Sequence, residues 1–195
     1  MTSVEAHYEL HSEPKQGKVI LIMGCPRTGK TTLAVRLVKS GKKFSRMSGD
    51  HLSTFVGEAE IQGFDFSALI EGLVKDSEIY GMNTVFDCTS YDFPLEAVDK
   101  LPFKNKLDIY FFGFPDISED EIRYNIKHYS KPTDWIYHLS EESLAQSAKY
   151  IYDFNIKLKE FCETYGYKFI CTGVGAERDA ILNLLYDEII EKYGL

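Results

Sequence analysis

Short apolar runs of strand length alternate with stretches whose apolar residues recur at helical spacing along most of the chain. Val19 to Met23 is the first such run, and after a Gly/Thr-rich stretch Leu33, Leu37 and Val38 fall on one side of a helix that Ser40-Gly41 stops. Phe44 to Met47 predicts a second strand, with Ser48-Gly49-Asp50 as the turn that follows. The stretch from Phe55 to Phe66 shows neither period. Ser67 to Asp76 predicts a helix that turns Leu69, Ile70, Leu73 and Val74 to the core. Thr84 to Cys88 predicts a third strand, Leu95 to Leu101 one or two helical turns, and Leu107 to Phe114, the most apolar run, an inner strand. Ser118 with Glu121 forms a capping-box pattern for a helix carrying Ile122 and Ile126 inward, and Pro132 interrupts the periodicity between His128 and Trp135. A Ser140 cap opens a long helix ending at Gly166, with Leu144, Ala148, Ile151, Leu158, Cys162 and Tyr165 on one face. Tyr167 to Thr172 predicts the last strand and Gly173 to Gly175 a turn. Arg178 to Tyr193 predicts a final helix with Ile181, Leu184, Leu185 and Ile189 facing the core.

Strands that alternate with helices pair in parallel through right-handed crossovers, which predicts an α/β fold, a three-layer α/β/α sandwich. Ligands of such sheets gather beyond the carboxyl ends of the strands. The segments just after the five predicted strands are 24–31, 48–51, 87–90, 113–116 and 172–175, so these are expected to rim one cleft.

The first of those segments carries the chemistry. Gly24-Cys25-Pro26-Arg27-Thr28-Gly29-Lys30-Thr31 matches G-x-x-x-x-G-K-[ST] and sits between an apolar strand and a helix start, the context a P-loop requires. Gly24 and Gly29 permit dihedrals that let successive amides turn inward around a phosphate, and the helix start adds unpaired N–H groups and a favourable dipole. Pro26 has no N–H to donate. Gly24, Cys25, Pro26, Arg27, Thr28, Gly29, Lys30, Thr31 and Thr32 are therefore the candidate triphosphate-binding set, with Lys30 reaching the β- and γ-phosphates and Thr31 ligating Mg²⁺.

With 195 residues the chain is long enough for one substantial core, so a single domain at 18–195 is expected, preceded by an N-terminal extension at 1–17. A net charge of -8 argues against a nucleic-acid backbone as the main partner. Cys25, Cys88, Cys162 and Cys171 lie far apart without a C-x-x-C pair, as reduced thiols of a cytoplasmic protein do. No apolar run approaches the length of a membrane span, and the polar, acidic N-terminus lacks a signal pattern.

Two carboxylates fall at strand ends. Asp87, closing Val85-Phe86-Asp87-Cys88-Thr89, stands where a metal-holding carboxylate belongs, though a turn or cap role fits the same residue. Asp50 faces the γ-phosphate across the expected cleft, where it can orient the acceptor or serve as its base; Ser-Gly-Asp is equally an ordinary turn sequence. The segment 118–139 supplies Arg123, Lys127, His128 and Lys131 beside a Pro-containing loop and reads as a lid, with Arg123 and Lys127 one turn apart and Trp135 as an anchor. Arg27 is a further candidate cation over the phosphates. Phe55, Phe64 and Phe66 are candidates for lining an acceptor pocket, within a chain whose 13 Tyr and 13 Phe mostly serve the core.

The loop GCPRTGKT, the aspartate of MSGD, the aspartate of VFDCT and a cationic lid before the last strand together resemble the P-loop nucleoside and nucleotide kinase superfamily. The stretch from Asp134 to Gly173 is similar to the C-terminal half of adenylate-kinase-like bacterial ATPases without an assigned acceptor. The resemblance implies a five-stranded parallel sheet in the order 2-3-1-4-5, the P-loop NTPase fold. It also implies Mg²⁺-ATP as donor, lid closure over the phosphates, and the turn Thr172, Gly173, Val174 against the adenine. Adenylate kinases carry an arginine shortly after the strand-two aspartate, where this chain has His51 and Leu52.

The resulting expectation is a phosphotransferase that moves the γ-phosphate of Mg-ATP to a small molecule such as a nucleoside, nucleotide or sugar. Lys30, Asp50 and Arg123 are its candidate catalytic residues, and Thr31 and Asp87 its candidate metal ligands. The alternatives are a non-catalytic ATP-binding regulator and a polynucleotide or RNA kinase. Asn105-Lys106-Leu107-Asp108 matches the guanine-reading N-K-x-D of GTPases, but that motif ends an apolar strand, whereas here the strand follows it.

Overall fold

The computed structural model describes residues 17–56, 65–89, 95–101, 103–132 and 134–194, with the side chains of 53–56 and 135 outside that description. The expected N-terminal extension therefore lies outside it up to residue 16, as do the side chains of Phe55 and Trp135 and the whole of Phe64 and Ser90.

Every residue of β1 (Val19–Gly24) is buried, which requires cover on both faces of the strand. The alternation of its side chains defines the layers. Ile20 and Ile22 pack with Leu33 and Leu37 of α1 (Lys30–Lys39) and with Leu182, Leu185 and Ile189 of the last helix. Val19, Leu21 and Met23 face the other way, onto residues of the helices that follow strands two and four. β1 lies between β3 (Asn83–Asp87) and β4 (Leu107–Gly113), while β2 (Phe44–Ser48) and β5 (Lys168–Cys171) form the edges. All four pairings are parallel and the order is β2-β3-β1-β4-β5. This is the α/β sandwich and the strand order expected.

The remaining helices are α2 (Gly49–Val56), α3 (Phe66–Tyr80), α4 (Leu95–Asp99), α5 (Glu119–Tyr129), α6 (Glu141–Tyr165) and α7 (Gly175–Tyr193), with 3₁₀ turns at Lys104–Lys106 and Trp135–His138. The Ser118–Glu121 capping box is present at α5, and Ser140 caps α6 by accepting from Ser143 N. No described helix is long and apolar enough to cross a membrane.

Four expectations change. Gly49 and Asp50 form no turn: β2 runs directly into α2, and Gly49 passes so close to β3 that a Cβ there would meet Cys88 Cβ at 2.4 Å. The last helix opens at Gly175 rather than Arg178. Leu184 is 68% exposed, because Leu182, Leu185 and Ile189 form the inward stripe and residue 184 falls about 200° around the helix from 182. Tyr165 is exposed against Phe161, whose ring takes the buried place at the end of α6.

Candidate functional site

The loop between β1 and α1 owes its path to two glycines. Gly24 has φ 126°, and a Cβ there would meet Phe112 O of β4 at 2.1 Å. Gly29 has φ 91°, and a Cβ there would meet Leu182 Cδ1 of α7 at 2.7 Å. Within the loop Cys25 N donates to Phe112 O (2.8 Å) and the Thr28 hydroxyl to Cys25 O (2.7 Å). Thr28 and Pro26 are buried, whereas Thr31 and Thr32 are exposed at the helix start.

Lys30 is 6% exposed and folds back over its own loop, its ammonium donating to Gly24 O (3.1 Å) and Cys25 O (2.5 Å). Burial lowers its pKa, opposed by the negative fields of Cys25, Cys88, Asp50 and Asp87. Burial also pushes the Cys25 thiol up to about 12, despite the nearby Lys30. That thiol donates at 3.5 Å to Asn155 Oδ1, which also accepts from Phe114 N (2.8 Å). Asn155 Nδ2 returns a bond to Phe114 O at 3.3 Å, so this one buried amide of α6 ties the loop to the exit of β4. The sequence held a signal for it: a polar residue on the apolar stripe of α6, between Ile151 and Leu158.

Asp87 is 1% exposed and carries three hydrogen bonds. Arg46 of β2 donates to both carboxylate oxygens (2.6 and 2.9 Å), and the Thr31 hydroxyl donates to Oδ2 at 2.8 Å. Arg46 went unnoticed in the sequence, where a single charge in a short edge-strand pattern reads as solvated. Its pKa is raised, chiefly by the hydrogen bond to Asp87, and desolvation works against that. Asp50 stands in the first turn of α2, and its Oδ1 accepts from Thr89 N and Oγ1 at 3.3 and 3.4 Å. The ends of β2 and β3 thus bring Asp50, Asp87 and Thr89 beside the P-loop helix, as the strand-end argument expected.

The buried pair makes a checkable difference. Replacing Arg46 by Met removes the bidentate partner of a carboxylate that water does not reach. Breaking a fully buried pair costs about 3–5 kcal/mol; because Arg46 keeps 21% side-chain exposure, a loss of about 2–3 kcal/mol is expected, or roughly 5–10 °C in melting midpoint. Added Mg²⁺ should recover part of that loss in Arg46→Met and little in the parent, as read by thermal melts with and without the ion.

Arg123 and Lys127 of segment 118–139, and Arg27, are paired within the fold. Arg27, at φ 68° the one non-Gly residue with positive φ among those described, points away from the nest. Its guanidinium pairs with Asp134 Oδ2 (2.8 Å) and donates to Tyr129 O (2.9 Å), fastening the P-loop to both sides of the loop after α5. Asp134 has a lowered pKa, mainly because its carboxylate accepts from Lys131 N and secondarily from Arg27. Arg123 and Lys127 do share one anion, but it is Glu141 at the start of α6: Arg123 Nη2 lies 2.9 Å from Oε2, and Lys127 Nζ pairs with Oε1. His128 stacks on Tyr124, centroids 5.3 Å apart.

A cavity of about 420 Å³ opens between α5 and the β5–α7 turn, lined by Ile117, Tyr124, Asn125, Gly173, Val174 and Glu177 among others. Thr172, fully buried, donates its N–H and hydroxyl to Gly113 O (3.0 and 3.1 Å), which fixes the turn to the end of β4. Gly173 and Val174 therefore border this cleft together with Asp120, Glu121 and Glu177, and Thr172 anchors the turn that carries them.

No family model matches the chain, and no curated protein matches it. Among solved structures it is similar to a dephospho-CoA kinase from Campylobacter jejuni, at 12% identity over 92% of this chain and 100% of that one, with a TM-score of 0.50. A gluconokinase from Sinorhizobium meliloti 1021 matches at 18% identity over 90% of this chain and 97% of that one, TM-score 0.49. A shikimate kinase from Acinetobacter baumannii matches at 15% identity over 94% and 97%, TM-score 0.44. At such identities the likeness is one of fold: a five-stranded parallel sheet in the order β2-β3-β1-β4-β5 between helices, the P-loop NTPase fold.

Proposed function

We propose that this chain transfers the γ-phosphate of Mg-ATP to a small-molecule acceptor. The observation that carries the reading is the nest itself: a glycine-shaped loop of amides with a buried ammonium parked on two of its carbonyls, beside a threonine hydroxyl bonded to a buried aspartate. Carbonyl oxygens are weak partners for an ammonium, so phosphate oxygens are better acceptors for Lys30 and draw it forward. Magnesium, when bound with the nucleotide, neutralises phosphate charge; Thr31 and Asp87 are the residues suited to hold it, directly or through water. The donor set is right for that ion, being hydroxyl and carboxylate oxygen only.

The chain's own residues then divide the work. The loop amides bind and orient the triphosphate, Lys30 offsets charge on the migrating group, and Asp50 orients the acceptor hydroxyl and accepts its proton. The turn Thr172–Val174 holds the base in the cleft beside α5. The lid excludes water, and Arg123 reaches the transferred group only by leaving Glu141, so its part depends on lid movement. Small-molecule acceptors are favoured over nucleic acid by the net charge of -8.

Calorimetry with Mg-ATP, followed by a thermal-shift screen of nucleosides, nucleotides, sugars and polyol phosphates beside a non-hydrolysable ATP analogue, tests the reading. Binding of Mg-ATP and acceptor-dependent ADP release are expected. Tight ATP binding with no acceptor-dependent release under any member of the screen would favour the regulator, with the Arg27–Asp134 contact as its moving part.

A further inference from the structure

Arg178 stands in the first turn of α7, one turn beyond the cleft-lining Val174. A Cβ placed on Gly29 would lie 3.4 Å from Arg178 Cδ, so the stem of this side chain runs against the end of the P-loop where α1 begins. Its Nε is buried and has no hydrogen-bond partner among the described residues. The carboxylate it approaches, Asp179 Oδ1, is 3.8 Å away, beyond hydrogen-bond reach.

A buried guanidinium N–H without an acceptor costs stability and is rare enough in folded proteins to need a reason. The other cations described around the cleft have theirs. Lys30 is held by loop carbonyls, Arg27 by Asp134, Arg46 by Asp87, and Arg123 with Lys127 by Glu141. Among the described residues Arg178 Nε is the buried side-chain donor that lacks an acceptor, on a side chain that keeps 27% exposure and lies against Gly29. Its neighbour Glu177 lines the cleft, and its own stem lies against Gly29, so residue 178 sits on α7 between that cleft and the loop.

We propose that Arg178 is a nucleotide-contacting residue whose guanidinium donates to phosphate oxygen on the base side of the bound nucleotide. The assignment rests on the nucleotide-binding reading above and adds a residue to it. A planar fork of donors suits a phosphate better than a lone ammonium would, and a contact on the base side is shared by di- and triphosphates alike.

Calorimetry of Mg-ADP and Mg-ATP with the parent and Arg178→Met tests it. Methionine keeps an apolar stem against Gly29 and Leu182, so the nucleotide-free melting midpoint should hold or rise. Both nucleotides should bind roughly tenfold or more weakly, by a common factor, and the difference should narrow at high salt. Affinity within twofold of the parent overturns the role of Arg178 and leaves the P-loop reading standing. Should the methionine variant melt well below the parent, Arg178→Gln supplies the same comparison under the same criterion. If the parent binds neither nucleotide, the P-loop reading falls and this inference with it.

Discussion

Lys30→Met is expected to abolish nucleotide binding without weakening the nucleotide-free protein. In the parent the ammonium is buried and, among the described residues, accepted only by Gly24 O and Cys25 O, so its charge sits in a poor environment until phosphate arrives. Methionine fills the same space without the charge. The nucleotide-free melting midpoint should therefore stay level or climb by a few degrees. Mg-ATP affinity, in contrast, should fall by at least about 100-fold, since two charge-assisted hydrogen bonds at about 1.5–3 kcal/mol each are lost. At 100 times its Kd a ligand adds about 2.7 kcal/mol, so the parent should gain roughly 5–10 °C from Mg-ATP and the variant about 1 °C or less.

The pH profile carries the same argument with a definite sign. The folded pKa of Lys30 is lowered, so the folded state carries a penalty while the group is charged in both states. That penalty lifts as pH rises through the lowered folded value toward the unfolded value of about 10.4, so nucleotide-free stability attributable to Lys30 should increase over that window. Subtracting the Lys30→Met profile from the parent's isolates it. A difference that falls toward alkaline pH would refute the buried-charge account.

Asp50→Asn is expected to separate binding from transfer. Asparagine keeps an oxygen for Thr89 N and Oγ1, which lie 3.3 and 3.4 Å from Asp50 Oδ1, so the substitution is nearly isosteric and the fold should be retained. Mg-ATP affinity should stay within a few-fold. Acceptor-dependent ADP release should drop by about 10²–10⁴ in kcat, the usual range for losing a general base. A raised KM for the acceptor with kcat intact would instead make Asp50 an acceptor-binding group, and an unchanged rate and KM would remove it from the mechanism.

Arg46 and Asp134 show where reading the chain in one dimension stops. Asp87 was visible as a strand-end carboxylate beside a P-loop, and the strand-end rule placed it, Asp50 and the Thr172–Val174 turn at one rim. Nothing along the chain pairs Arg46 with Asp87, because the partners are 41 positions apart and meet only through the register of β2 on β3. Arg27 and the 118–139 lid were both recognised as cationic, yet their directions were not. Arg27 fastens to Asp134 and Tyr129, and Arg123 to Glu141, through contacts that depend on how α5 and α6 pack. Leu184 failed for a smaller reason: it lies two positions, about 200° around α7, from Leu182, so Leu182 is buried and Leu184 exposed.

The chain by itself determined the alternation of strands and helices, their caps at Ser118 and Ser140, and the phosphate-binding loop, since each is set by spacing over a few neighbouring residues. Tertiary structure decided which charges neutralise one another and which donor is left waiting. Ion pairs between distant segments depend on strand register and helix packing to within an ångström, and a pattern of residue types does not carry distances on that scale.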